Sequence, residues 1–132
     1  MKKFWWVVII IGIAVFGLIL FLRGDEDNWI KDGRGVYVKH GSPETTPDYV
    51  LSQQEIIKKA LDQFNEKKAS GTDLSSGPCL GKISDDWVAD LVHNPRQEVD
   101  DLTSNQCTDY LTGSVIHFIE LNLDNGEVVK IN

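Results

Sequence analysis

Nineteen consecutive residues, Phe4 to Leu22, carry no charge and no strongly polar side chain. As a helix rising about 1.5 Å per residue they extend roughly 28 Å, close to the hydrocarbon thickness of a bilayer. Such a run leaves the chain two choices: the segment stays in lipid as an anchor, or it is removed as a signal peptide. Either way the remainder is exported. A signal peptide shares the basic start, Lys2-Lys3, and the apolar core. Against it, the run exceeds a usual apolar region of roughly 7–15 residues, and its end, Leu18 to Asp25, has no Ala-x-Ala pattern. No cysteine beside the run could accept lipid. The reading is an uncleaved single-pass anchor over residues 1–23.

Two lysines precede the run and one arginine, Arg23, follows it; Asp25, Glu26 and Asp27 add little to orientation. The bias sets the N-terminus in the cytoplasm and residues 24–132 outside it. Trp5 and Trp6 then lie at the inner interface, where indole rings prefer the headgroups. Gly12 and Gly17 are five apart, the wrong spacing for a Gly-x-x-x-Gly seam. Arg23-Gly24-Asp25 matches an adhesion tripeptide, but at the membrane edge it reads as a charged stop after the anchor.

Residues 24–132 hold ten basic and twenty acidic side chains, against a formal charge of −7 for the whole chain. An acidic exported part repels nucleic acid and anionic headgroups, so no nucleic-acid partner is expected. Its 109 residues suffice for one small domain and a tether. The chain has two cysteines, Cys79 and Cys107, both in the exported part, and an even count in an oxidising compartment reads as a disulfide. Closing that 29-residue loop removes unfolded-chain entropy worth about 3.6 kcal/mol.

Residues 24–48 read as an extracytoplasmic tether. Asn28-Trp29-Ile30 and Val36-Tyr37-Val38 flank Asp32-Gly33, a hairpin signal, and Gly41 to Asp48 carries two prolines in an extended linker. Residues 49–132 read as one small α+β domain. Ser52-Gln53-Gln54-Glu55 is a capping box with Leu51 as a staple, and Ile56, Ile57, Ala60, Leu61 and Phe64 recur at helical spacing. The pattern predicts a helix over 53–69, with Lys67 and Lys68 in its last turn and Gly71 after it. Residues 72–80 read as a turn-rich connection and 87–93 as a strand with Trp87, Ala89 and Leu91 on one face. On the other face Asp90 lies between Val88 and Val92. Residues 96–113 read as a long loop with a helical turn near 105–110. Ser114 to Leu123 and Glu127 to Ile131 form strands about Asp124-Asn125-Gly126. The expected fold is one helix laid on a small antiparallel sheet.

Gly77-Pro78-Cys79-Leu80, Asp86-Trp87-Val88-Ala89-Asp90, His93-Asn94-Pro95-Arg96, Asp100-Asp101-Leu102, Asn105-Gln106-Cys107 and His117-Phe118-Ile119-Glu120-Leu121 together resemble uncharacterised small exported proteins of candidate-phylum bacteria and archaea. The likeness spans about residues 53–131. It implies an exported, anchored module and no particular activity. The helix-then-strands order is similar to cystatin-like and PepSY-like modules, an analogy of fold that carries no function.

Three constellations bear on chemistry. Cys79 with His93 or His117 suggests a thiol nucleophile with a base, unless the cysteines are bridged, which the compartment favours. Asp85, Asp86, Asp90, His93, His117 and Glu120 lack metal-ligand spacing and read as solvated residues, so neither a metal nor another cofactor is expected. His93, Arg96, Asp100 and Asp101 lie in a charged loop beside the bridge and form a candidate recognition surface, with self-pairing of Arg96 to Asp100 or Asp101 as the structural reading. The expected function is a non-catalytic module binding a protein or peptide. An inhibitor or accessory subunit of an envelope enzyme and a small extracytoplasmic hydrolase are the alternatives.

Overall fold

The structure, a computed structural model, describes residues 1–23 and 27–132. Gly24 and Asp25 of the adhesion-like tripeptide therefore lie outside the described residues. The chain forms two compact units, residues 1–30 with 38–46, and residues 31–37 with 47–132.

In the first unit, helix α1 spans Lys2–Arg23. Its segment Lys3–Leu22, of mean hydropathy 2.8, is long and apolar enough to cross a membrane, and Phe4 to Leu22 bury nothing against the protein. Strands β1 (Asn28–Lys31) and β2 (Tyr37–His40) form a two-stranded sheet whose tip belongs to the second unit. Local bonds hold its outer part. The Trp29 indole N–H donates to the Thr45 carbonyl at 3.1 Å, and the Ser42 N–H donates to Asp27 at 2.9 Å.

The hairpin forms around Asp32-Gly33, but the connection is five residues long. Asp32 organises it: Oδ1 accepts the N–H groups of Arg34 and Val36, and Oδ2 accepts the Arg34 guanidinium at 2.7 Å. The residue needing positive φ is Gly35, at 86°, rather than Gly33. A Cβ at Gly35 would collide with the Ile131 carbonyl, and the Ile131 N–H donates to Arg34 O at 2.8 Å. Only glycine lets the tip lie this close to the last strand.

Helix α2 spans Asp48–Ala69, starting a turn before the Ser52 capping box predicts. Pro47 is the N-cap, and its carbonyl accepts the N–H groups of Val50 and Leu51. The early start fits the burial of Val50, which is completely covered, and Asp48 adds acid to the first turn, where the helix dipole favours it. Ser52 is left inside the helix and exposed.

Strands β3 (Cys79–Ser84), β4 (Trp87–Val92), β5 (His117–Asn122) and β6 (Val128–Ile131) form one sheet in the order β3-β4-β5-β6. Ile56, Ala60 and Phe64 of α2 pack on its inner face against Leu80, Ala89, Leu91, Ile119, Leu121 and Ile131. The α+β class and the order of the major elements follow the sequence. Two features of the sheet do not. Residues 79 and 80, read as the end of a connection, and residues 81–84, given no element, form edge strand β3. The centre of the sheet is not antiparallel: β4 and β5 run parallel, with β3-β4 and β5-β6 antiparallel around them. A parallel pair needs a crossover of a dozen or more residues, and residues 93–116 supply it. The crossover contains a 3-10 turn at Glu98–Asp101 and a short helix α3 at Thr108–Leu111.

Candidate functional site

The crossover lies over the outer face of the sheet, opposite α2. A disulfide joins Cys79, at the start of β3, to Cys107, just before α3. Val88, Cys107 and Val115 are buried together there, with Phe118 partly buried against them. With both cysteines bridged, there is no free thiol among the described residues, and Cys79 is not a nucleophile. The apolar α1 and the disulfide together mark a membrane-anchored or exported protein.

Between crossover and sheet lies a cleft of about 270 Å³. The strands contribute Val88 and Asp90 from β4, and Phe118 and Glu120 from β5; the crossover contributes Arg96, Gln106, Cys107, Tyr110 and Leu111. Alternation explains the strand set, because residues two apart share a face, and the parallel register sets Val88 beside Phe118 and Asp90 beside Glu120. One end is apolar and aromatic, with Tyr110 edge-on to Phe118 at 5.0 Å between centroids. The other end is ionic.

The four predicted recognition residues divide into two roles. Asp100 is only 1 % exposed and holds the crossover closed. It accepts the N–H of Gln97 at 2.8 Å and that of His93 at 3.1 Å, and lies 2.8 Å from His93 Nδ1. Burial pushes this carboxyl up, but those donors outweigh it and hold Asp100 below the ordinary carboxylate range. An ionised Asp100 can only accept, so the contact assigns the ring proton to Nδ1. Gly77, at φ 68°, closes the same corner: a Cβ there would come within 2.7 Å of Asp100 Oδ1 and 2.8 Å of the Leu91 carbonyl. His93 and Asp100 thus form a latch.

Arg96 and Asp101 sit at the cleft rim. Arg96 Nη1 donates to Glu120 Oε1 at 2.9 Å, and its Nε and Nη2 reach Asp101 Oδ1 at 3.0 and 2.9 Å. The self-pairing reading of the loop therefore describes the Arg96–Asp101 pair. The bond to Glu120, from a strand 24 residues away, was not visible in the sequence.

Asp90 is the most perturbed group of the site. Burial pushes its carboxyl up to about 7; Glu120 and Asp100 add to the rise, while the Leu91 N–H on Oδ1 and the Arg96 charge oppose it. Sequence reasoning set Asp90 and Glu120 among solvated acidic residues. The available signal was the placement of Asp90 between Val88 and Val92 on an otherwise apolar strand face. The remaining metal candidates do not converge: among the described residues, no three of His, Cys, Asp and Glu could hold an ion. His117 stacks on Trp87 at 4.7 Å between centroids, with Asp86 at 3.6 Å from its Nε2.

No protein-family model, curated protein or solved structure matches this chain.

Proposed function

We propose that this chain is a single-pass, membrane-anchored module whose extracytoplasmic domain binds a protein or peptide partner without catalysing a reaction. The observation that carries the reading is the cleft. Its apolar floor, ionic end and disulfide-braced wall have the composition of a recognition site, where apolar contact gives affinity and a few fixed polar groups give orientation. Lys2 and Lys3 before the anchor support a cytoplasmic N-terminus, and the disulfide supports an oxidising location for the domain. The test is in-cell photo-crosslinking, with the reactive group at Leu111 on the cleft rim or at Lys59 on α2. A reproducible protein adduct from position 111 but not from 59 supports the reading. No adduct from position 111 overturns it.

One observation favours a second reading, a small hydrolase. A carboxyl held near 7 beside a second carboxyl is a pairing that acid–base hydrolases use, and Asp90 and Glu120 are register neighbours. Turnover of a glycan or peptide panel by the full chain, abolished in Asp90→Asn, would select this reading. No turnover across the panel would remove it.

A further inference from the structure

The cleft's ionic end has two oxygens to spare. Asp90 Oδ1 is taken by the Leu91 N–H, and Glu120 Oε1 by Arg96. Asp90 Oδ2 and Glu120 Oε2 have no bonded partner among the described residues, and no fully buried side-chain oxygen there lacks one, so neither is sealed off from solvent. They belong to adjacent residues across the parallel pair, in a cleft whose other end is Val88, Phe118, Tyr110 and Leu111.

This arrangement selects among ligands. An anion is repelled by Glu120 and Asp101. A purely apolar group would bury against Asp90 and leave the spare oxygens without donors. A guanidinium seeks both oxygens of one carboxylate, and neither carboxylate has both free. An ammonium, a compact charge with three rotatable donors, suits two single oxygens from two residues, and an alkyl stem behind it suits the apolar end. We propose that the cleft receives the side chain of a lysine in a partner peptide, its methylenes against Phe118, Tyr110 and Leu111 and its ammonium between Asp90 and Glu120. The inference rests on the peptide-binding reading above and gives it a partner chemistry.

Proton linkage gives the site a signature. The ammonium needs Asp90 as a carboxylate, so binding expels its proton. The facing groups are Glu120 and Asp100, which favour the protonated form, and Arg96, which opposes it. Lys130, across from Glu120 on β6, has its Nζ 5.6 Å from the centre of the Phe118 ring and adds a second cation at the rim. With Asp90 near 7 when empty, affinity for a lysine falls roughly 20-fold from about pH 7.5 to about pH 5.5.

The test uses the full chain in detergent micelles and acetyl-Gly-Gly-X-Gly-Gly-amide peptides, followed by shifts of the Tyr110 and Phe118 ring signals in NMR titrations. With X as lysine, saturable binding that weakens on acidification is expected, and norleucine, glutamate and arginine peptides should bind at least about tenfold more weakly. Asp90→Asn should lose most of the affinity and the pH dependence. Leu111→Trp, at an exposed rim position, should block binding with both carboxylates intact. Equal binding of norleucine, or of lysine without pH dependence, overturns the lysine assignment and leaves the peptide-binding reading standing. Tighter binding of arginine overturns it in the same way. No binding of the lysine peptide also overturns the assignment, while the crosslinking experiment decides the broader reading by itself.

Discussion

Replacing Asp90 by asparagine should make the domain more stable at neutral pH, and the gain should vanish in acid. The carboxyl is driven from an ordinary value of 3.8 up to about 7, mainly by burial. The unfolded chain therefore releases this proton near pH 4, and the folded chain near pH 7. Between those values the folded state binds the proton more tightly, so its contribution is fully present below about pH 4 and is lost as pH rises through about 7. A shift of about three units at 1.36 kcal/mol each gives a loss of about 4 kcal/mol as an upper bound, and about 2 kcal/mol if the shift is half as large. Asparagine has nearly the same shape and no proton to lose. The difference in unfolding free energy, variant minus wild type, should thus be near its minimum at about pH 4 and rise by about 2–4 kcal/mol by about pH 8. Asp100 and the other carboxylates titrate in both proteins, so only their coupling to Asp90 survives in the difference. Urea unfolding of the two full chains in the same detergent, followed by circular dichroism at unit pH steps, measures it. A difference that stays flat within about 0.5 kcal/mol, or that falls as pH rises, would refute the burial argument for Asp90.

The remaining predictions concern the supports of the cleft. Asp100→Ala strands the Gln97 and His93 donors beneath the crossover, so it should destabilise by about 2–3 kcal/mol at neutral pH. Because the Asp100 carboxyl is held low, the wild-type advantage should be present above about pH 4 and disappear as pH falls through the lowered value, opposite in sign to Asp90. Serine at both Cys79 and Cys107 should lower stability by about 3–4 kcal/mol in urea unfolding and raise amide exchange across residues 93–116. Phe64→Ala, on the opposite face of the sheet, should lower stability by about 3–5 kcal/mol and leave the tyrosine and phenylalanine shifts of the cleft near their wild-type values.

Local periodicity made much of the fold legible. The apolar faces of α2 and β4 were readable because each repeats within a few residues, and the same residues, Ile56, Ala60, Phe64, Ala89 and Leu91, occupy the core. The two lone cysteines admitted one pairing. Strand β3 was not readable, because Gly81 and Lys82 interrupt its alternation and its ladder to β4 has register shifts. The early start of α2 was hidden by Ser52, whose capping pattern describes an available helix start that burial of Val50 overrides. At the site, the latch and the rim pair lie within one loop and could be listed as candidates from spacing alone. The Asp90–Glu120 pair could not, since it depends on how two strands 30 residues apart align.

That alignment follows from the core rather than from the carboxylates. Ile119 and Leu121 are completely buried against α2, as are Ala89 and Leu91 beside them. Side chains alternate, so a slip of one residue in β5 would turn Ile119 and Leu121 outward and drive Phe118 and Glu120 into the apolar layer. Burying an unpaired glutamate there would add several kcal/mol to the lost burial of two aliphatic side chains. The parallel register is thus set by the inner face, and the outer face inherits it. Asp90 is brought beside Glu120, and the crossover that parallel pairing requires becomes the wall over both. Exchanging Ile119 and Leu121 for smaller apolar residues should therefore loosen the carboxylate pair before either carboxylate is touched, and lower the Asp90 titration towards the ordinary aspartate value as water enters. A titration midpoint unmoved in Ile119→Ala, in a chain that still folds, would separate the cleft from the core and refute this dependence.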